Sequence, residues 1–444
     1  MKLDTIVALA TPPLKSALGI IRLSGTETFA IIEQVFFPSG EFSKKRGIYH
    51  GFIQEGDEII DEVITLIYEK PRSFTGEDIA EIIFHGSPLI AQQIIALLIK
   101  YGARMAEPGE FSSRAFLNGK MDLIQAEAVN DMINATSAEA KKLALYSLEG
   151  KTSDKIWPLQ TRIADLVSLI EVNIDYPEYT DIELATNQKV VKDTGEIIKM
   201  IEILIDQGRQ GKIIKEGLNV AIVGKPNVGK SSLLNALLGE EKAIVTDIAG
   251  TTRDIVEGEI NLHGIVLHLF DTAGIRESQD AVETIGIDKA KRSLENADLV
   301  LLVFDASQAL DQEDKKLLEL TKGRKRLIVY NKADLTAFNR DEGQLYISAL
   351  TREIAPLEEA IISLFSIDQE SFSRPSLTNS RQLGLLAQAH TYLKNAQKLS
   401  KEGVPLDLIS VELIAALDSI NDLLGKSADS DLSKEIFSRF CLGK

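Results

Sequence analysis

The sequence predicts a multidomain protein, α/β plus all-α. It has an N-terminal α+β domain, a helical bundle built from two separated segments, and an α/β domain inserted between those segments. Three observations carry this. Short strands and helices alternate over residues 216–370, the arrangement of a mostly parallel sheet. A helical period fills residues 121–213 and returns beyond Pro375, in stripes too narrow to stand without partners. One glycine-punctuated loop, Gly224-Lys-Pro-Asn-Val-Gly-Lys-Ser231, lies between the apolar run Leu218–Val223 and the helical pattern Ser232–Leu238. A length of 444 residues leaves room for about three domains, each with its own core.

Residues 1–118 read as the α+β domain. Strand-like runs are Thr5–Ala8, Gly19–Leu23, Ile48–Ile53, Ile59–Tyr68 and Ile79–Phe84, and helical patterns are Thr26–Phe36 and Pro88–Tyr101. From 119 to 213 the chain turns helical. Ile124, Ala128, Met132 and Ala135 share one helix face, and the pattern continues through Asp154–Val172 and Lys189–Ile214 across a break near Pro177. Residues 214–373 make the inserted α/β domain. In 374–444, Leu385, Ala389, Tyr392, Ala396 and Leu399 form one stripe, and Ile409, Leu413, Ala416, Ile420 and Leu423 another. The economical arrangement packs this tail on the helices of 119–213.

Composition narrows the class. Hydrophobic content of 44% and charged content of 26% are those of a soluble globular protein, and runs such as Leu299–Phe304 are too short to cross a bilayer. No signal peptide and no membrane partner are expected. The one cysteine, Cys441, excludes an intramolecular disulfide and fits a cytoplasmic location. A net charge of −17 argues against a broad basic face for nucleic acid, so any RNA contact is local or shared with a partner.

The glycine-punctuated loop fits a phosphate cradle, the P-loop. Its glycines let backbone amides close around phosphate oxygens, and the helix that follows adds its positive dipole end. Lys230 would reach the β and γ phosphates, and the Ser231 hydroxyl would face Mg²⁺. Four further segments follow in the order of a Ras-like guanine-nucleotide switch: Gly250-Thr-Thr-Arg-Asp254, Asp271-Thr-Ala-Gly274, Asn331-Lys-Ala-Asp334 and Ser348-Ala-Leu350. Asp334 can accept from guanine N1–H and the exocyclic amine, donors that adenine lacks at that edge, so the base is guanine and the substrate GTP. The Ala349 amide would meet the guanine carbonyl. The expected nucleotide contacts are Asn227, Val228, Gly229, Lys230, Ser231, Ser232, Thr246, Thr251, Thr252, Asp271, Thr272, Ala273, Gly274, Asn331, Lys332, Asp334, Ser348 and Ala349.

Hydrolysis needs a group that orients water. Many GTPases use a Gln after Asp-x-x-Gly, but Ile275 stands there. Polar candidates nearby are Arg276, Glu277, Asp280 and Glu283. Asn227 can stabilise the turn or bind a monovalent cation beside the phosphates.

Further segments are Asp4-Thr-Ile-Val-Ala, Phe74-Thr-Gly-Glu-Asp, Glu107-Pro-Gly-Glu-Phe, Arg114-Ala-Phe-Leu-Asn, Gln125-Ala-Glu-Ala and the terminal Cys441-Leu-Gly-Lys444. With these, the chain resembles over its whole length the bacterial tRNA-modification GTPase family, MnmE or TrmE. The family more often has Ile where Leu442 stands. The resemblance implies an N-terminal domain that dimerises and binds a formyl- or methylene-tetrahydrofolate. It implies a heterotetramer with the FAD-dependent protein MnmG. Together they would install an aminomethyl or carboxymethylaminomethyl group at C5 of the wobble uridine of certain tRNAs. By position, Asn227, Thr246, Ile248 and Thr251 match its K⁺ site, which stimulates hydrolysis as GTPase domains pair. Ser231 and Thr252 match its Mg²⁺ ligands. Glu283 matches the carboxylate that orients water, with Lys230 and Arg276 as further catalytic candidates. Arg22, Glu81, Lys120 and Lys444 match its folate positions. Cys441 can be reactive or a small buried hydrophobe.

The rival class is a ribosome-assembly GTPase, a binding switch that often appends a KH domain with a Gly-x-x-Gly loop. The tail after residue 370 has no such loop. A signalling switch would instead show negligible intrinsic hydrolysis.

Overall fold

The computed structural model describes residues 4–43, 45–176, 186–239, 258–271, 294, 296–335, 343–426, 436–438, 440 and 443. The chain forms two compact units. One comprises Met1–Ile133, Ser147–Ile197 and Gln388–Lys444, and the other Asn134–Tyr146 and Ile198–Ala387.

In the first unit, strands β1 (Ile6–Leu9), β2 (Leu18–Ser24), β3 (Phe36–Pro38), β4 (Gly47–Glu55), β5 (Glu58–Tyr68), β6 (Ile79–His85) and β7 (Arg104–Met105) make one sheet. Its order is β3-β4-β5-β6-β2-β1-β7. Pairing is antiparallel except between β1 and β7, which the helix α2 (Pro88–Lys100) separates in the chain. Alternation assigns the faces. Ile21, Leu23, Val63, Ile67, Ala80, Ile82 and Phe84 pack under α1 (Thr28–Val35) and α2 through Ile31, Ile32, Ile94 and Leu98. Arg22 and Glu81 therefore fall on the opposite face, directly across from each other in the β2–β6 register. The short elements β3, β7 and α3 (Glu110–Leu117) were not distinguished in the sequence.

The family-type segments of this unit converge on one ion network. Arg114 lies 2.7 Å from Asp4, 3.0 Å from Glu110 and 3.2 Å from Glu77, with its side chain 7% exposed. Arg104 bridges Asp4 and Glu110 at 2.8 and 2.7 Å. Each buried charge has opposite partners, the condition for tolerating it in a low-dielectric interior.

Helix α4 (Leu123–Asn134) opens on a reciprocal cap. The Gln125 amide donates to Asp122 and the Asp122 amide to Gln125, at 2.9 and 3.0 Å. It ends at Asn134, so Ala135 lies beyond the helix rather than on its stripe. Helices α5 (Ala138–Leu148), α6 (Ser153–Asp175) and α7 (Asn187–Glu216) follow.

The second unit holds a sheet of order β13-β12-β11-β8-β10-β9, built from β8 (Leu218–Val223), β9 (Gly258–Leu262), β10 (Ile265–Asp271), β11 (Leu299–Asp305), β12 (Arg326–Asn331) and β13 (Leu345–Tyr346). Only the β9–β10 pairing is antiparallel. Alternate residues of β8 and β11 feed opposite faces. Val220, Ile222, Leu301 and Val303 pack with α8 (Lys230–Leu238) and α10 (Ala355–Leu364), whereas Ala221, Val300, Leu302 and Phe304 pack with α9 (Gln312–Leu320). Helices on both faces of a largely parallel sheet leave one open edge for a ligand, the carboxyl ends of the strands.

Two further helices follow, α11 (Ser380–Lys401) and α12 (Leu406–Leu424). The α12 stripe is as expected: Ile409, Leu413, Ala416, Ile420 and Leu423 are all fully buried, and the helix lies along α6. At about 1.5–3 kcal/mol for each large side chain, this seam is a principal support of the helical part. The α11 stripe needs correction. Leu386, Ala389, Leu393 and Ala396 are buried, while Leu385, Tyr392 and Leu399 are only half-buried. The buried face is rotated by part of a turn, because Leu386 and Leu393 complete the same period as their neighbours.

Candidate functional site

The polar residues of the second unit gather where β8, β10, β11 and β12 end. Strand β8 delivers Gly224 against the carbonyl of Val303, where a Cβ would collide, so only glycine fits. The loop continues through Asn227 at φ 63° to Gly229 at φ 92°. Gly229 starts α8 and no side chain among the described residues caps that start, an arrangement suited to an anion. Lys230 is buried and bends its amine onto the carbonyls of Gly224 and Lys225, 2.8 Å from each. Ser231 and Ser232 are exposed beside it.

Asn331, 2% exposed at the end of β12, joins two loops. Its Nδ2 donates to the Val228 carbonyl at 2.9 Å, and its Oδ1 accepts from the Ala349 amide at 3.0 Å. The Ala349 amide was expected on a guanine carbonyl. In the structure this amide donates to Asn331 Oδ1, as a buried N–H is rarely left unpaired. The Ser348 hydroxyl donates to Asp334 Oδ1 at 2.5 Å and so fixes the carboxylate expected to read the base. Lys332, at φ 67°, donates to Asp305 at 2.7 Å. Burial pushes the Asp305 carboxyl up, but the bonds from Lys332 and Ser307 outweigh it and hold the group below its ordinary value.

Lys225 adds a contact that sequence reasoning missed. Its amine lies 2.6 Å from Asp311 and 2.8 Å from Asp314 at the start of α9. The hydrogen bond from Lys225 holds Asp311 down at about 2. The Asp311-x-x-Asp314 pattern signals a capping box, which forms, but nothing local points to a partner 86 residues away.

Asp271 ends β10 opposite Ile222. Thr246, Ile248, Thr251, Thr252, Thr272, Ala273, Gly274, Ile275, Arg276 and Glu283 lie outside the described residues, as do Cys441 and Lys444.

The first unit holds a second polar constellation. Arg22 donates through Nε to Glu81 at 2.8 Å and through Nη1 to the carbonyl of Gly443 at 3.2 Å. Its guanidinium sits 5.6 Å from the ring centres of both Phe74 and Phe111, residues that the sequence did not single out for this place. Gly443 is buried at φ 90°, and a Cβ there would press to 2.6 Å from the Leu9 carbonyl. Lys120 is exposed, donates to the Pro71 carbonyl at 2.9 Å, and lies along Gly76 in the loop that carries Phe74.

Two family descriptions match the chain: the GTP-binding protein TrmE N-terminus over residues 5–120, and the MnmE helical domain over residues 123–441. The tRNA modification GTPase MnmE of Enterococcus faecalis is 44% identical over 461 residues, which cover 100% of this chain and 99% of that protein. That of Lactococcus lactis is 44% identical over 448 residues, with 99% and 98% covered. Among solved structures, Aquifex aeolicus Era bound to GDP and aluminium fluoride aligns over 39% of this chain and 65% of its own. Its identity is 29% and its TM-score 0.28, too low to bear on the fold. Matched from end to end by these relatives and by both domain descriptions, the chain belongs to the tRNA modification GTPase MnmE family.

Proposed function

We propose that this chain binds GTP at the amino end of α8 and hydrolyses it in the modification of tRNA. The observation that carries the reading is Asn331, which ties the phosphate loop to the base-reading loop while Ser348 holds Asp334. Lys230 and the first amides of α8 bind the phosphates, and Asp334 reads guanine. The exposed Ser231 hydroxyl, one strand from the end of β10 at Asp271, suits a hard cation, and Ser231 with Thr252 would hold Mg²⁺. That ion would supply positive charge at the β and γ phosphates. Mass spectrometry of tRNA nucleosides from cells lacking the gene tests the whole reading. Unchanged wobble uridines would favour a ribosome-assembly switch.

The finer reading follows the family. With an FAD-dependent MnmG-like partner, the protein would add an aminomethyl or carboxymethylaminomethyl group at C5 of the wobble uridine, using a folate one-carbon unit. Ile48, Ile64 and Phe37 are exposed on the sheet face away from α1 and α2, which supports a homodimer through this domain. No helix among the described residues is long and apolar enough to cross a membrane.

Potassium is the cation proposed beside Asn227. A cation held there would offset charge developing on the phosphates, so turnover in K⁺ should exceed that in Na⁺ at matched ionic strength by on the order of 100-fold. Equal rates would remove the cation from the mechanism.

The folate assignment changes in detail. Arg22 already donates to Glu81 and Gly443, so we assign it to holding those two groups, and Glu81 to accepting from pterin N–H groups. Removing residues 441–444 should abolish tRNA modification and leave GTP affinity nearly unchanged. Full modification by the shortened protein would exclude the tail from the chemistry.

A further inference from the structure

We infer that Lys225 is a positioning residue of the phosphate loop. Held by Asp311 and Asp314, it fixes the carbonyl on which the Lys230 amine rests.

The loop between β8 and α8 is anchored at both ends. Gly224 abuts Val303, and the Val228 carbonyl is bonded by Asn331. Between them lies Lys225-Pro226-Asn227, of which Pro226 and Asn227 are exposed. Lys225 is the exception, with a side chain only 19% exposed and its amine between two carboxylates. Those carboxylates are themselves fixed. Asp311 Oδ1 accepts from the amides of Glu313 and Asp314, and Asp314 Oδ2 accepts from the Asp311 amide at 3.1 Å.

Asp314 makes the anchor strong. Its side chain is 5% exposed, and its Oδ1 is buried with no hydrogen-bond partner among the described residues. A buried carboxylate with one unpaired oxygen relies on a nearby cation, and Lys225 is the cation in contact. The restraint passes through the residue's own backbone, because the Lys225 carbonyl accepts from Lys230. Lys230 is the amine that meets the phosphates, so the ion trio at the start of α9 sets the resting place of the group that binds substrate. A loop held in its bound shape loses less conformational freedom on binding. GTP and GDP both use this loop, so the restraint acts on affinity and release more than on the chemical step.

The proposal rests on the GTPase reading, and wild-type GTP turnover in the same assay checks that reading separately. The test compares full-length wild type with Lys225→Met, Lys225→Arg and Asp311→Asn, measuring KM and kcat for GTP and stopped-flow release of fluorescent GDP. Losing a charge-assisted bond in Lys225→Met should speed GDP release and raise KM by about tenfold, with kcat within about twofold. Lys225→Arg should restore most of the loss. Asp311 is 55% exposed and caps α9, a position asparagine also fills, so Asp311→Asn is expected to fold even where Lys225→Met does not, and it should shift the same two quantities in the same direction. Wild-type KM and release in Lys225→Met, or in Asp311→Asn if the former is unfolded, would overturn the proposal. So would a failure of arginine to rescue.

Discussion

Asp334→Asn is expected to lower GTP affinity by about 10²-fold to 10⁴-fold and to raise affinity for xanthosine triphosphate. Two charge-assisted bonds, to N1–H and the exocyclic amine, are lost or inverted at about 1.5–3 kcal/mol each. Xanthine presents a carbonyl where guanine has its amine, and an asparagine amide can donate to it. The structure favours a clean exchange, because the Ser348 hydroxyl donates to one Asp334 oxygen and can donate equally to an asparagine carbonyl. Competition binding of the two nucleotides to wild type and variant measures the effect. A parallel loss of both would show that Asp334 does not read the base.

Arg114→Met should destabilise the first unit by about 3 kcal/mol, because Glu77 loses the guanidinium beside it and Asp4 and Glu110 keep Arg104 but lose their second cation. Burial alone would pull the Arg114 group down, yet Glu110 and Glu77 raise it overall. The hydrogen bond from Arg104 chiefly holds Asp4 below its ordinary value of 3.8. Glu110 is pushed up by burial, but the bonds from Arg104, the Glu107 amide and Arg114 bring it below its ordinary 4.5. Carboxyls depressed in the folded state stabilise it above their unfolded values and lose that contribution as pH falls through the folded ones. The difference between wild type and variant is therefore largest near neutrality. It shrinks as pH drops below the ordinary values of 3.8 and 4.5. Trp157, the single tryptophan, lies in this unit, so its fluorescence follows urea unfolding there. A gap that widens in acid would show that carboxylate repulsion is not the cause.

The nucleotide loops were legible in the sequence because each is a short pattern closing a strand, as in Gly224–Ser231 after β8 and Asn331–Asp334 after β12. Ties between segments far apart in the chain were not legible. Asn331 meets Val228 across 103 residues, and Arg114 meets Asp4 across 110. Segments such as Phe74-Thr-Gly-Glu-Asp and Glu107-Pro-Gly-Glu-Phe marked the family, but the role of their carboxylates in one ion network appears only once the chain is folded. The phase of α11 was ambiguous for a different reason. Apolar residues at 385, 386, 392 and 393 satisfy two overlapping stripes, and only the neighbours decide between them.

The division of the chain also fixes an order of completion during synthesis. The second unit can close once Ala387 has left the ribosome. The first needs Gln388–Lys444, and the partner that α6 lies along, α12, comes from that last piece. Until residues 406–424 have been made, Ile156, Leu159, Ile163 and Ile170 of α6 have no α12 to cover them. Nascent chains expose apolar surface while they wait for missing partners. The unit begun first is thus finished after the second, and chains stalled beyond Ala387 hold the loops proposed to bind nucleotide before they can complete the helical seam.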